Sequence, residues 1–388
     1  MHAFWKNSVA SLGLLTLAAC SFSDADDGQD NGRQPSEPVE RAQGNGADAM
    51  ASRDSESVAD AENTIPDIEQ RPIMQTQVVL ERLGFGPGII DGKQGMSFTN
   101  ALAGFQESRD LPVTGELDEA TRQALSRWDT ISATRVVTIP QSWADAAFTD
   151  VPEAAAEQAK MTRLGYETMA EKLAERFHTT PEVLEQLNPG GRPAGSESET
   201  SAPSGQSRPA YTPGQQLRVP NVGADRIVAS KVDNKAWLET LRSLGVGTDQ
   251  PAVTKVLVDE SERWLKAYDK DDRLVAMFTV TTGSQNDPLP IGNWEVNGVA
   301  YNPPFAYDPE LFWDVPDSEE AQQLPPGPNG PVGVVWIDLT KEHYGIHGTP
   351  APETIGRAQS HGCVRLTNWD AARLAQMVSS GTKVVFQK

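Results

Sequence analysis

Ile346-His347-Gly348-Thr349 and, a little further on, Ser360-His361-Gly362-Cys363-Val364-Arg365-Leu366 are the stretches whose reading decides this chain. The protein holds 5 histidines and 2 cysteines, and His343, His347 and His361 all lie shortly before Cys363. A thiol beside imidazoles meets the requirement for nucleophilic catalysis at sulfur, because a neighbouring base draws the proton and stabilises the thiolate. Gly348 and Gly362 adjoin the histidine and the cysteine, where a missing side chain lets backbone amides approach an oxyanion. His361 stands two residues from Cys363, so an extended segment would send both side chains to one side. His343 and His347, four apart, would share a metal only on a helix. Tyr344-Gly345-Ile346 reads as extended, so no metal is expected, and His343 reads as a structural or surface residue.

Outward from these runs the texture is that of strands. Val256-Leu257-Val258, Trp264 to Tyr268, Leu274 to Val280, Val332 to Leu339 and Lys383 to Phe386 are β-branched and aromatic runs separated by polar turns such as Asp269-Lys270-Asp271-Asp272. Asn368 to Val378, with Ala371, Leu374, Ala375 and Val378 on one face, is the substantial helix of a mostly-β domain spanning 252–388.

The two runs, with Thr281-Thr282-Gly283, Pro290-Ile291-Gly292 and Asn368-Trp369-Asp370, closely resemble the signature of the YkuD-type L,D-transpeptidase catalytic domain. The resemblance implies that Cys363 is the nucleophile and His347 the base. His361 supports the site. Ser360 and the amides near Gly362 and Cys363 orient the imidazole or hold the oxyanion, and Arg365 braces the loop or meets a substrate carboxylate. It implies no cofactor and a backbone carbonyl in place of a carboxylate behind the imidazole. The implied reaction is attack on the meso-diaminopimelate carbonyl of a peptidoglycan tetrapeptide stem, release of D-alanine, and transfer of the acyl group. The acceptor is an amine of another stem or of a lysine-bearing outer-membrane lipoprotein. An L,D-carboxypeptidase using the same thioester is the alternative within the fold, and a non-catalytic wall-binding lipoprotein the alternative outside it. Tyr301 to Pro331, rich in Pro and carrying Phe305, Tyr307, Phe312 and Trp313, reads as a lid or a structural insertion.

Two smaller units precede this domain. Gln77, Leu80, Leu83 and Phe85, then Ala101, Leu102 and Phe105, then Leu117 to Leu125 are three amphipathic segments broken by Gly84, Asp91-Gly92 and Thr114-Gly115. They predict a three-helix unit over 69–128, and the pattern resembles a peptidoglycan-binding domain. Met169, Leu173 and Phe177, then Thr180-Pro181-Glu182 leading into Val183, Leu184 and Leu187, predict two helices, closed by Asn188-Pro189-Gly190 and a short strand through Leu217-Arg218-Val219-Pro220. This α+β unit, 166–222 with an insertion at 191–209, resembles a LysM module, which binds glycan, but shows no clear first strand. Residues 129–165 and 223–251 read as connectors.

The N-terminus reads as a leader. Val9 to Ala19 is a short apolar run after Lys6, and Leu17-Ala18-Ala19-Cys20 resembles a bacterial lipobox. Residues 1–20 are then a signal peptide, with Cys20 as the lipid anchor to the membrane. The expected location is the periplasm, and Ser21 after Cys20 favours the outer membrane. Between Ser21 and Glu69 the chain carries thirteen acidic residues against Arg33, Arg41 and Arg53, the composition of an acidic tether over 21–68. Over the whole chain, 33 Lys and Arg against 54 Asp and Glu give a net charge of -21, which repels a phosphate backbone and excludes nucleic acid as the partner. The expectation is a multidomain wall protein.

Overall fold

The computed structural model describes residues 65–143, 147–196, 211–223, 225–311, 315 and 318–388. Cys20, nearly all of the acidic segment, most of the insertion at 191–209, and Phe312 and Trp313 of the proposed lid lie outside the described residues.

The first unit is built from α1 (Pro72–Arg82), α2 (Met96–Ser108) and α3 (Glu119–Leu125). Pro72 opens α1 at a position where its missing N–H costs nothing, and the Asp118 carboxylate caps α3 by accepting from Thr121 N at 2.8 Å. The turns are organised by two buried amides. Gln77 Nε2 donates to Asp91 Oδ1 at 3.0 Å while its Oε1 accepts from Gly92 N at 2.7 Å, and Gln106 donates to Thr114 and Thr121 while accepting from Thr114 N and Gly115 N. Leu80, Leu83, Phe85, Phe98, Leu102 and Phe105 form the core, but that core does not close on itself. Trp264, Leu274 and Met277, from the sheet described below, complete it.

The second unit starts earlier than the helical pattern shows. β1 (Thr134–Thr138) pairs antiparallel with β2 (Gln216–Pro220), Thr134 opposite Pro220, and α5 (Met169–Arg176) and α6 (Pro181–Leu187) lie between them in sequence, after the short α4 (Ala155–Gln158). The stretch 129–165 is therefore not only a connector. Its Thr-Arg-Val-Val-Thr run supplies the strand missing from the helical reading, and Val137 is fully buried against Leu173, Phe177, Leu217 and Val219. Thr168 and Glu171 cap α5 reciprocally, and Thr180 caps α6.

The C-terminal domain is organised by an eight-stranded sheet in the order β11-β10-β9-β6-β12-β3-β4-β5. Its strands are β3 (Lys255–Asp259), β4 (Trp264–Tyr268), β5 (Leu274–Thr279), β6 (Gly292–Tyr301), β9 (Val335–Leu339), β10 (Gly345–His347), β11 (Val364–Arg365) and β12 (Lys383–Gln387). A separate hairpin of β7 (Phe305–Tyr307) and β8 (Gln322–Leu324) sits within the proposed lid. Helices α7 (Lys235–Leu244) and α8 (Asn368–Met377) share one core with the sheet: Trp237, Leu241 and Leu244 meet Trp369, Leu374, Val256, Phe278 and Ile337. The stretch 223–251, expected as a connector, thus belongs to this domain through α7. Its Trp237 stacks on Tyr301 with ring centroids 4.5 Å apart.

The units are joined by buried structure. Gly86 N donates to Met277 O at 2.8 Å and Met277 N to Gly84 O at 3.0 Å, so the first unit covers the outer edge of β5, which otherwise presents unpaired backbone groups. Gly84 has φ +95°, and a Cβ there would stand 2.8 Å from Val275 O. Behind this seam lies a buried charge cluster drawn from all three units. Arg373 of α8 and His178, between α5 and α6, both approach Glu81 of α1, with His178 Nδ1 3.2 Å from Glu81 Oε2 and His178 Nε2 3.9 Å from Asp370 Oδ2. Trp369 stacks on the imidazole at 5.0 Å. Two carboxylates face one guanidinium and an imidazole whose pKa their charges raise against the effect of burial. His178 Nδ1 faces Glu81, while Nε2 lies 3.2 Å from Thr367 Oγ1, whose hydroxyl donates to Asp370 Oδ2 at 2.9 Å, so an imidazolium there faces one carboxylate directly and the other through Thr367.

Candidate active site

Strand order brings the two chemistry-bearing runs side by side. β10 lies antiparallel to β9 and parallel to β11, which sets Ile346 beside Val364 and His347 beside Arg365. Cys363 is the residue immediately before β11. The loop that carries it is clamped on both sides: Thr281 N donates to Arg365 O at 3.0 Å and Arg365 N returns to Thr281 O at 2.8 Å, while Ser360 N donates to Thr282 O at 3.0 Å.

His347 is 4% exposed, and its ring stacks on Trp336 with centroids 5.5 Å apart and planes at 22°. Nδ1 lies 2.7 Å from Gly348 O. A carbonyl only accepts, so Nδ1 carries the proton and the lone pair resides on Nε2. Burial, reinforced by the Arg365 charge and only partly offset by the Gly348 bond, pushes the His347 pKa down to about 3. The imidazole is neutral at physiological pH, as a general base must be before it acts.

Cys363 is half-buried. Its thiol points at the carbonyl of His343, 3.8 Å away, and burial raises its pKa against the opposing influence of the Gly345 N–H and Arg365. The resting pair is therefore a neutral thiol and a neutral imidazole, and the thiolate forms when the proton moves. His343 enters through its backbone. Its φ of +66° turns the carbonyl toward the sulfur while its side chain, 66% exposed, sits 3.6 Å from Glu342. His343 and His347 lie on turn and strand, so the helical spacing that a shared metal needs is not present.

The structure gives Ser360, Gly362 and Gly348 contacts that the sequence did not show, and it bends the segment expected to align His361 with Cys363. Ser360 donates its hydroxyl to Cys363 O at 2.6 Å, which commits that proton to shaping the Cys363 loop. Gly362 has φ +95°, so the segment is not extended and the alternation that would align His361 with Cys363 is broken. A Cβ at Gly362 would sit 2.6 Å from the Tyr344 ring, and one at Gly348 would sit 2.1 Å from Asn368 Oδ1. Both glycines are thus required by close packing. Trp336, Tyr344, Gly345 and Asn368 were not legible as site residues. Trp336 and Asn368 meet the His347-Gly348 stretch only through the sheet and the start of α8, and Tyr344 and Gly345, though near His347 in sequence, meet the Cys363 loop only across β10 and β11.

Residues 254–386 match the family model for the L,D-transpeptidase catalytic domain, and residues 70–125 match the putative peptidoglycan binding domain. This C-terminal region is similar to YkuD-type L,D-transpeptidase catalytic domains. A putative L,D-transpeptidase YkuD of Bacillus licheniformis is 32% identical over 130 residues, covering 34% of this chain and 63% of that protein. A Bacillus subtilis protein of the same name is 49% identical over 61 residues, covering 16% of this chain and 37% of the relative. The chain thus spans less than two thirds of the length of these relatives. Among solved structures, L,D-transpeptidase 3 of Mycobacterium tuberculosis, in complex with a faropenem-derived adduct, is 20% identical with a TM-score of 0.29, covering 36% of this chain and 61% of that one. In this C-terminal domain the matched region holds Cys363, His347 and the loop between them, and the matched helical unit is the one that covers the edge of β5.

Proposed function

We propose that this protein is a peptidoglycan L,D-transpeptidase working by thiol acyl transfer. The observation that carries the reading is the His347 tautomer: a buried, neutral imidazole with Nδ1–H held by Gly348 O keeps Nε2 open to receive the proton of a thiol in the adjoining loop. In the first step Cys363 Sγ bonds to the meso-diaminopimelate carbonyl of a tetrapeptide stem, and its proton passes to His347 Nε2. The tetrahedral oxyanion collapses, the bond to D-alanine breaks, and the imidazolium returns the proton to the leaving amine. In the second step an acceptor amine attacks the thioester carbonyl and gives a proton to His347, and the C–S bond breaks to regenerate the thiol. Every proton and electron pair is supplied by the protein and its two substrates.

Transfer over hydrolysis is supported by the two accessory units, which suit an enzyme that gathers two wall-bound stems. The first unit is read as holding peptidoglycan and the second as a LysM-like glycan contact. A lipid on Cys20 and a place in the periplasm, at the outer membrane, complete the reading, with stem peptides or a lysine-bearing lipoprotein as acceptors. Incubation of the purified protein with a disaccharide tetrapeptide, followed by mass spectrometry, tests it. A cross-linked dimer lacking one D-alanine is expected. Free tripeptide as the dominant product would make the enzyme an L,D-carboxypeptidase, and an unchanged tetrapeptide would end the catalytic reading.

A further inference from the structure

The residue whose carbonyl sets the His347 tautomer, Gly348, is packed against a side chain, and that side chain is gripped from outside the C-terminal domain. Asn368, fully buried at the start of α8, is wedged between Gly333 and Gly348, where an added Cβ would fall 1.8 and 2.1 Å from Asn368 Oδ1. The same oxygen accepts from Val334 N at 3.1 Å. The amide nitrogen donates to Pro328 O at 3.1 Å and to Glu175 Oε1 at 2.7 Å. Glu175 belongs to α5 of the second unit, and its other carboxylate oxygen accepts from the Tyr166 hydroxyl. One turn earlier on α5, Glu171 accepts from Asn329 Nδ2 at 2.7 Å, while Leu164 N donates to Pro326 O and Asn329 N donates to Leu164 O. The face of α5 that carries Glu171 and Glu175 therefore holds both the end of the Tyr301–Pro331 segment and the side chain packed against Gly348.

We propose that Glu175 is a positioning residue for acyl transfer: it holds Asn368, Asn368 fixes the Gly348 peptide, and the Gly348 carbonyl holds His347 in the tautomer and orientation that accept the thiol proton. The inference rests on the transpeptidase reading and extends it by making part of the accessory unit a support of the catalytic base. What the chain of contacts needs from position 175 is an oxygen that reaches Asn368 Nδ2. Burial raises the Glu175 pKa to about 7, and a protonated carboxyl still offers such an oxygen, so the support does not depend on charge.

Reach and charge are separable in the full-length protein. Glu175→Ala removes the acceptor. Glu175→Asp keeps the charge but draws the carboxylate back by about 1.5 Å, the length of one carbon–carbon bond. Glu175→Gln keeps the reach and discards the charge. Misplacing a catalytic base by an ångström costs up to about a hundredfold, so kcat should fall roughly tenfold or more in the Ala and Asp variants with KM little changed, and Gln should restore it to within about twofold. Alkylation of Cys363 by iodoacetamide at neutral pH, read by intact mass, should follow the same order without any wall substrate. If Ala fails to fold, Asp against Gln decides the matter. Equal kcat in all variants, or a Gln variant as impaired as Asp, would overturn the inference. A wild type that turns over no muropeptide while alkylation keeps this order would refute the transpeptidase reading and leave the positioning role standing.

Discussion

Arg373 donates from one guanidinium nitrogen to both the carbonyl and the carboxylate of Glu81, each at 2.8 Å, with both side chains buried. The pair links the last helix of the C-terminal domain to the first helix of the first unit, and His178 of the second unit joins it. An accessory unit held in this way is part of the protein's folding unit, since removing it would strip Trp264, Leu274 and Met277 of their cover and leave buried charges unpaired.

Glu81→Ala should therefore destabilise the whole described protein. Deleting one partner of a buried ion pair costs about 3 to 5 kcal/mol because the remaining charges lose their compensation, here Arg373 and His178. Urea unfolding monitored by tryptophan fluorescence should show one transition moved to lower denaturant. A loss below about 1 kcal/mol, the range of exposed pairs, would contradict the burial described for the cluster.

Cys363→Ala should abolish turnover and leave the urea midpoint close to wild type. The thiol is half-buried and its polar contacts, to the His343 carbonyl and the Gly345 N–H, are weak sulfur bonds. Residual turnover of more than about a thousandth of wild type would require a nucleophile other than this sulfur.

The acid limb of kcat/KM should lie far below the ordinary histidine range. His347 must be neutral to accept a proton, and its pKa is pushed down to about 3, so lowering the pH from 7 to 5 should leave its function intact. A half-maximal rate between pH 6 and 7 would mean that an ordinary, solvated histidine is the base. In the absence of substrate, alkylation of Cys363 should keep rising with pH beyond the ordinary thiol value, because burial raises the thiol pKa.

Stability should fall as pH rises from about 5 to 8, the reverse of acid denaturation. Glu175, raised to about 7, and Asp370, raised to about 6, bind protons more tightly in the folded chain than in the unfolded one, and His178 is raised as well. Raised folded-state values contribute stability at low pH, and it is lost as pH climbs through them. His347, pushed down to about 3, gains stability over the same window and offsets part of this loss, so the melting temperature should be lower at pH 8 than at pH 5.5 by less than the three raised groups alone would give, with a shallower slope in Glu175→Gln. A melting temperature that increases over that window would refute the assignment.

Much of the molecule is legible without coordinates, for a common physical reason. The thiol and imidazole proposed for catalysis, the β-rich domain and the three helices of the first unit are expressed in residues close together in sequence: a thiol after a histidine-glycine pair, alternation in strands, apolar spacing and turn residues in helices. β6 escaped because Gly292-Asn293-Trp294-Glu295-Val296-Asn297-Gly298 lacks clean alternation and carries a register shift between Val296 and Gly298. β1 escaped because a short strand in a polar connector shows its purpose only beside β2. The direction of the Ser360 hydroxyl, the packing that demands Gly348 and Gly362, and the seams between units belong to tertiary structure alone. Glu175 meets Asn368 across 193 positions and Glu81 meets Arg373 across 292. Local propensity carries no information over such separations. Those contacts exist because the sheet, its edge and the two outer units bury their apolar faces in one arrangement, and the polar partners are matched only where that burial brings them.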